Sequence, residues 1–230
     1  MATEVEQATK RRVPLNRERV LRAAVELADR EGIEALSMRR LGQELGVEAM
    51  SLYNHVGGKE DLLDGMVEVM LEEIEPAADD DDWKTAVRNR ILSARRAMVR
   101  HPWASGVIVS RKQPGPQMLK YMDSVGGQFI RGGFSVDLMH HGFHALGSRV
   151  LGFSQELYDD NAELEQTPEL RAVMLKQMAA EYPNITAIAE QITHDEASVV
   201  GTGCDDQVEF EFSLDLILDG LERLKDRHAA

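Results

Sequence analysis

Apolar residues recur along this chain at intervals of three and four, with no convincing run at intervals of two, so the pattern predicts an all-α protein. Asn16 is placed to cap a first helix, with Leu15 and Val20 spaced as a hydrophobic staple. Val20, Ala24, Leu27 and Ala28 form its inward stripe, and Gly32 ends it. Ser37 caps a second helix whose Leu41 and Leu45 lie one turn apart, and Gly46 is placed to stop it in a left-handed conformation. A third helix is expected near Ala49–His55. Leu52 and Val56 then face inward, while Met50, Ser51, Tyr53, Asn54 and His55 share the outward surface. Gly57-Gly58 breaks the chain, and Lys59 opens a helix in which Leu62, Met66, Met70 and Ile74 recur every fourth residue up to Pro76.

Beyond Pro76 the same period continues. Asp79–Asp82 read as acidic caps for a helix over 83–100, closed by His101-Pro102-Trp103. After the break Gln113-Pro114-Gly115-Pro116, Met118, Met122, Val125 and Phe129 share one helical face that stops at Gly132-Gly133. Ser135 caps a long helix in which Val136, Met139, Phe143, Leu146, Val150, Phe153 and Leu157 alternate spacings of three and four. A polar loop at 159–167, a helix near Pro168–Tyr182 and a less regular piece to Gly203, with an amphipathic turn around Ile185–Ile192, precede the last helix. That helix begins near Asp205 or Asp206 and repeats the alternation at Phe210, Leu214, Ile217, Leu221 and Leu224. Two such seams either pack internally or form a four-helix bundle with a second copy, and Val150, Phe153, Leu157, Phe210, Leu214, Ile217, Leu221 and Leu224 are the candidate interface.

Short helix, glycine turn, short helix is the helix-turn-helix pattern, whose second helix enters the DNA major groove. The string Leu52-Tyr53-Asn54-His55-Val56, then Lys59 and Leu62-Leu63, resembles the LYxHVxxKxxLL signature of the tetracycline-repressor (TetR) family. The preceding GIEALSMRRLGQELGV is similar to the first two helices of the same domain, so the strong part of the resemblance spans residues 14–65. The HPW corner with its Pro/Gly break resembles one subgroup of TetR-type C-terminal domains. The resemblance implies an N-terminal three-helix helix-turn-helix domain, joined by a linking helix to a larger helical ligand-binding and dimerisation domain. The expected boundaries are a flexible basic arm at 1–12, the DNA-binding domain at 13–58, the linking helix at 59–76 and the effector-binding body at 77–230.

Carried over position by position, the family pattern assigns Ser37 and Arg39 to phosphate or base contacts and Tyr53, His55 and Lys59 to phosphate clamping. Ala49, Met50, Ser51 and Asn54 occupy the base-facing surface, where short or apolar groups suit thymine methyls and an asparagine pairs with adenine. Glu48 departs from the Ser or Thr that several members carry there, which puts the start of the third helix in question.

Charge changes the picture only once it is divided. The net charge is −14, yet the first 58 residues hold nine Lys/Arg and nine Asp/Glu, so all the excess acidity lies beyond the proposed DNA reader. Acidic flanks repel phosphate and leave contact to a local basic surface. A hydrophobic fraction of 43% with 29% charged residues describes a globular chain, and no apolar run approaches the roughly 20 residues of a membrane span. The N-terminus lacks the apolar core of a signal peptide, and the single Cys204 excludes an intrachain disulfide, so a cytoplasmic location is expected.

The resemblance also implies a small effector in the body, for which Trp103, Met118, Met122, Phe129, His140, Phe143, His144, Met174 and Met178 are the candidate lining, Phe153 being a further apolar candidate. His140 and His144 stand i,i+4, a metal-chelating spacing. With no third ligand at a fixed offset, a polar pocket wall or a solvated edge is the alternative, and no metal or cofactor is assigned. The tetracycline receptors present a magnesium-coordinating His beyond the helix that ends here at His101, whereas this chain has Gly106–Ser110 in that region. There is no phosphate loop, zinc motif or GxSxG elbow, so no enzyme is expected. The expected function is sequence-specific binding to a double-stranded operator as a homodimeric repressor, released by a small molecule. Control by a protein partner, or no effector at all, is the alternative, and a helical enzyme a remote one.

Overall fold

The computed structural model describes residues 14–78, 82–111, 113–152, 168–191 and 206–229, and among these the chain is helical with no strand. The helices are α1 (Arg17–Glu31), α2 (Met38–Leu45), α3 (Ala49–Leu52), α4 (Lys59–Leu71), α5 (Trp83–Arg100), α6 (Ala104–Ser110), α7 (Pro116–Arg131), α8 (Val136–Gly152), α9 (Pro168–Glu181), α10 (Pro183–Gln191) and α11 (Asp206–Ala229), with a 3-10 turn at Ile33–Ala35. They fall into two compact units. Unit 1 holds the described residues up to Glu75 together with Arg96–Met122, and unit 2 holds Pro76–Arg95 with those from Asp123 onward.

In unit 1 the expected caps are formed. The Asn16 side chain accepts the Arg19 N–H at 2.8 Å, and Gly32 N–H closes on Ala28 at 2.9 Å. Asn16→Ala is expected to cost about 1 kcal/mol, read as a lower Tm, because one helix-end donor loses its acceptor. Ser37 Oγ accepts the Arg40 N–H at 3.1 Å. At the other end of α2, Gly46 is left-handed at φ 66°, and the Val47 and Gly46 N–H groups return to Gly42 and Gln43 in a Schellman closure. An L-residue with a side chain is strained at that φ.

α1 and α4 pack in parallel with a constant offset. Arg17 meets Asp61, Leu21 fills the space beside Gly65, and Asp29 and Glu73 flank one histidine, each pair 44 residues apart. A Cβ on Gly65 would lie 2.5 Å from Leu21 Cδ2, so the glycine is what lets the two helices approach. The interior of unit 1 is apolar: Val20, Ala24, Leu27, Leu41, Leu52, Leu62, Met66 and Met70 are all fully buried. α6 is an element the hydrophobic pattern did not single out, since seven residues are too few to declare a period.

Unit 2 is organised round an aromatic cluster. Phe129 lies 5.9 Å from Trp83, 5.0 Å from Phe134 and 6.2 Å from Phe143, ring centre to ring centre. α5 and α11 run antiparallel, joined by ion pairs of Lys84 to Asp219 and Glu222 and of Arg88 to Glu211 and Asp215. Hydrogen bonds donated to Asp215 and then to Glu211 raise the Arg88 pKa despite partial burial. α8 packs on α11, where Gly142 sits against Phe129 and Leu221. Asp82 caps α5 through the Lys84 and Thr85 N–H groups, and Ser135 caps α8 through Leu138, as their positions predicted.

The region after Pro183 differs from expectation. It is a regular helix, α10, packed on α9, rather than an isolated amphipathic turn. The arm at 1–12, most of the Asp79–Asp82 cap, the polar loop at 159–167 and the piece at 192–203 lie outside the described residues.

Candidate nucleic-acid interface

α2, the Gly46 turn and α3 set one outward surface. The inward side is fixed by Leu41 and Leu52, both fully buried, and by Val56. The backbones of α2 and α3 touch: a Cβ on Gly42 would lie 2.9 Å from Val47 O and 3.2 Å from Ala49 N. α3 is shorter than the Ala49–His55 span expected. It ends at Leu52, and Tyr53–His55 form a tight turn in which His55 N–H donates to Leu52 O at 2.8 Å. Glu48 stands at the cap position without a side-chain bond, so the departure from Ser or Thr leaves α3 uncapped, and the following Gly57-Gly58 break also limits it.

Of the nine candidate DNA contacts, Ser37, Arg39, Met50, Tyr53, Asn54 and Lys59 are exposed and Ala49, Ser51 and His55 half-buried. Met50 is 75% exposed, far more than an apolar side chain keeps when its role is packing. The hydroxyl of Ser37 is engaged as the α2 cap. Arg40 is tied to Glu31 and Glu44, whereas Arg39 and Lys59 have no ion-pair partner among the described residues. Neighbouring arginines thus divide the work, one holding α2 to α1 and one facing outward.

Sequence reasoning missed the clamp behind this surface. The Arg17 guanidinium grips both Asp61 oxygens at 2.7 Å and also donates to His55 O at 3.0 Å. Asp61 in turn accepts the Gly57 N–H at 2.7 Å. The α3–α4 turn is therefore pinned to the start of α1. The hydrogen bond from Arg17 holds the Asp61 carboxyl below its ordinary range, and burial only partly opposes it. The available signal was an acidic residue in the first turn of α4, two residues after Lys59; its long-range partner carried none.

The candidate effector lining is distributed between the units. Trp103 belongs to unit 1, is 6% exposed, and donates its indole N–H to Asp29 at 2.7 Å. It lines an open groove of about 320 Å³ with Asp29, Ile33, Glu34 and Pro102, all of unit 1. Met118 and Met122 are also in unit 1, half-buried and exposed. Phe129 is fully buried in the aromatic cluster, which corrects its reading as lining: its faces are already covered by Trp83, Phe134 and Phe143. His140 and His144 lie on the exposed side of α8 with ring centres 4.6 Å apart, while Phe143 and Met178 are half-buried. Among the described residues no group of three or more His, Cys, Asp or Glu could hold a metal ion. The Met174 side chain lies outside the described residues.

The interface seam is corrected as well. Phe210 and Leu214 are fully buried and Leu221 is 6% exposed within the chain, so they form its own core and offer no surface to a second copy. The physical reason is the packing of α8 and of the antiparallel α5: Arg95 and Arg149 stand 4.5 and 5.3 Å from the Phe210 ring centre. Burial, and then the charge of Arg95, lower the Arg149 pKa. Val150 and Ile217 are half-buried and Leu224 is 40% exposed. Phe153 and Leu157 fall outside the described residues.

Two family models match the chain: "Bacterial regulatory proteins, tetR family" over residues 20–66 and "Tetracyclin repressor-like, C-terminal domain" over residues 75–224. The HTH-type transcriptional repressor DrrR1 of Streptomyces coeruleorubidus is 33% identical over 224 residues, covering 91% of this chain and 78% of that protein. The tetracycline repressor protein class C of Escherichia coli is 30% identical over 214 residues, covering 92% of each. Among solved structures, apo ActR from Streptomyces coelicolor superposes with a TM-score of 0.72 at 27% identity, covering 95% of this chain and 99% of that one. ActR in complex with actinorhodin gives a TM-score of 0.68 at 28% identity, over 91% and 97%. With its helix-turn-helix head and helical C-terminal region both matched, the chain belongs to the tetR family of DNA-binding transcriptional regulators.

Proposed function

We propose that this repressor binds a palindromic operator as a cytoplasmic homodimer and leaves it when a small molecule occupies unit 2. The observation that carries the DNA reading is the outward surface of α2, α3 and the start of α4, on which Arg39 and Lys59 have no acidic partner among the described residues and Met50 is exposed. In this reading Tyr53, His55, Lys59 and Ser37 hold phosphates, and Arg39, Ala49, Met50, Ser51 and Asn54 face the bases. Residues 13–58 act as the reader, 59–76 as the link and 77–230 as the sensing and pairing part, with 1–12 as a basic arm. No helix of the described residues is long and apolar enough to cross a membrane, in keeping with a regulator that must reach DNA.

Ligand control is supported by ActR, which has been solved with actinorhodin. Within unit 2, His140, Phe143, His144 and Met178 are the candidates that keep accessible surface. An effector that dissociates the complex must favour the DNA-incompetent state, so affinities for effector and operator oppose each other. Pairing is assigned to the second apolar face of α11, where Phe212 is 46%, Leu216 53% and Leu224 40% exposed, with Ile217 and Val150 at its edge.

Fluorescence anisotropy on a duplex from the protein's own promoter tests the reading. Lys59→Ala is expected to weaken every sequence alike and to reduce the slope of log K against log salt by about 1. Arg39→Ala is expected to cost about 1–3 kcal/mol on the preferred operator and little on unrelated DNA. Equal losses on both duplexes for Arg39→Ala would move that residue to the phosphate class. Indifference of the wild-type protein to all duplexes at low salt would end the reading.

A further inference from the structure

At one end of the α1–α4 pair, two carboxylates flank a buried imidazole. His101 is 6% exposed; its Nδ1 lies 2.9 and 3.0 Å from the two Asp29 oxygens and its Nε2 3.1 Å from Glu73 Oε1. Both ring nitrogens therefore face acceptors, an arrangement satisfied only when both carry protons. The other groups round the ring have their hydrogens committed: Trp103 donates its indole N–H to Asp29 at 2.7 Å, and Arg100 donates to Glu73 at 2.7 Å. Glu34, from the 3-10 turn, lines the same groove as Asp29 and Trp103. Counting Asp29, Glu73, Arg100 and His101, the cluster is neutral with an imidazolium and carries one excess negative charge without it.

We propose that His101 is a positioning residue for operator binding, acting as an imidazolium that bridges Asp29 of α1 to Glu73 beyond α4, so that the grip of unit 1 on DNA depends on both ring protons. The bridge is the third fixed point along two parallel helices. Arg17–Asp61 pins the end next to the reader, Leu21 against Gly65 fixes the middle, and His101 holds the far end. Loss of one ring proton leaves a nitrogen lone pair against a carboxylate on a ring that is itself buried. That contact opens, and α1 is no longer held at a set distance from α4. Burial opposes ionisation of Glu73, but hydrogen bonds from Arg100 and His101 outweigh it and hold its carboxyl below the ordinary range. The Glu73 arm is accordingly present above the ordinary carboxylate range and is lost as pH falls through its own lowered value.

This inference rests on operator binding, and the test separates the two. Operator affinity is measured by anisotropy from pH 5.5 to 8.5 in an H55Q background, which removes the histidine at the DNA surface. H55Q is expected to lose about tenfold in affinity per proton-linked unit of pH over its steepest part, and H55Q/H101Q to give a flatter profile. Superimposable profiles overturn the proposal. Circular dichroism establishes that each variant folds. Should H101Q fail to fold, Glu73→Gln serves instead: with one carboxylate neutralised the imidazolium is held less firmly, so the loss of affinity begins at lower pH, and an unmoved profile overturns the proposal. A His101 ring-proton NMR titration reads the same protonation without DNA. Absence of all duplex binding alongside a Glu73-dependent titration would fault the operator reading. A titration that ignores Glu73→Gln would fault the bridge.

Discussion

A valine at position 42 is expected to reduce operator affinity by about two orders of magnitude, roughly 3 kcal/mol at the upper end of what overpacking costs. The reason is the direct approach of two backbones. The first side-chain carbon would already sit 2.9 Å from Val47 O and 3.2 and 3.3 Å from Ala49 N and Cα, none of which can rotate away as a flexible side chain does. α3 would have to move bodily, carrying Met50, Ser51 and Asn54 with it, and base contacts tolerate little displacement. Far-UV circular dichroism is expected to show helix content nearly unchanged, because only the α2–α3 approach is affected. An operator affinity within twofold of wild type for Gly42→Val would mean that this approach does not set the reader.

The second large effect concerns pairing. Phe212→Glu combined with Leu216→Glu is expected to yield a monomer in sedimentation and to weaken the palindromic operator by more than about a hundredfold, since the second half-site would no longer be bound intramolecularly. Leu214→Ala is the contrasting change. Its side chain is fully buried within the chain, so it is expected to cost about 2–5 kcal/mol of stability. The remaining folded protein should still associate. If Leu214→Ala dissociates the protein without lowering its Tm, while Phe212→Glu with Leu216→Glu leaves it paired, the inward and outward faces of α11 have been exchanged.

Local chemistry was the legible part of this fold. Asn16, Ser37, Asp82 and Ser135 cap the helices they precede, and Gly46 adopts the left-handed turn, because each acts on donors or carbonyls within four residues. The apolar stripe of α4 was equally plain, down to Ile74, which is buried although the helix has ended. The outward surface of the reader was legible for the same reason: two fully buried leucines determine which positions remain outside.

What escaped depends on contacts far apart in the chain. Phe210, Leu214 and Leu221 carry a three-four alternation, but such a stripe identifies a buried face without naming what covers it. α11 has a second apolar face through Phe212 and Leu216, and only the packing of α5 and α8 determines which is internal. Trp103 was placed among pocket residues on its chemistry, whereas its position follows from a hydrogen bond to Asp29, 74 residues away. Arg17 and Asp61 looked like ordinary helix-end charges until the backbone brought them together.

The fixed offset between α1 and α4 has a practical side. Because Arg17–Asp61 and Leu21–Gly65 set the near end and the middle of the register, the segment from Gly32 to Gly58 is a cassette held in a rigid bracket. Transplanting that segment from another regulator, cut at the two glycine positions and matched in length, would exchange DNA preference while leaving the sensing machinery its original owner. A graft one residue longer or shorter would have to absorb the difference within its own turns, because the Arg17–Asp61 and Leu21–Gly65 pairs both lie outside it and keep their partners.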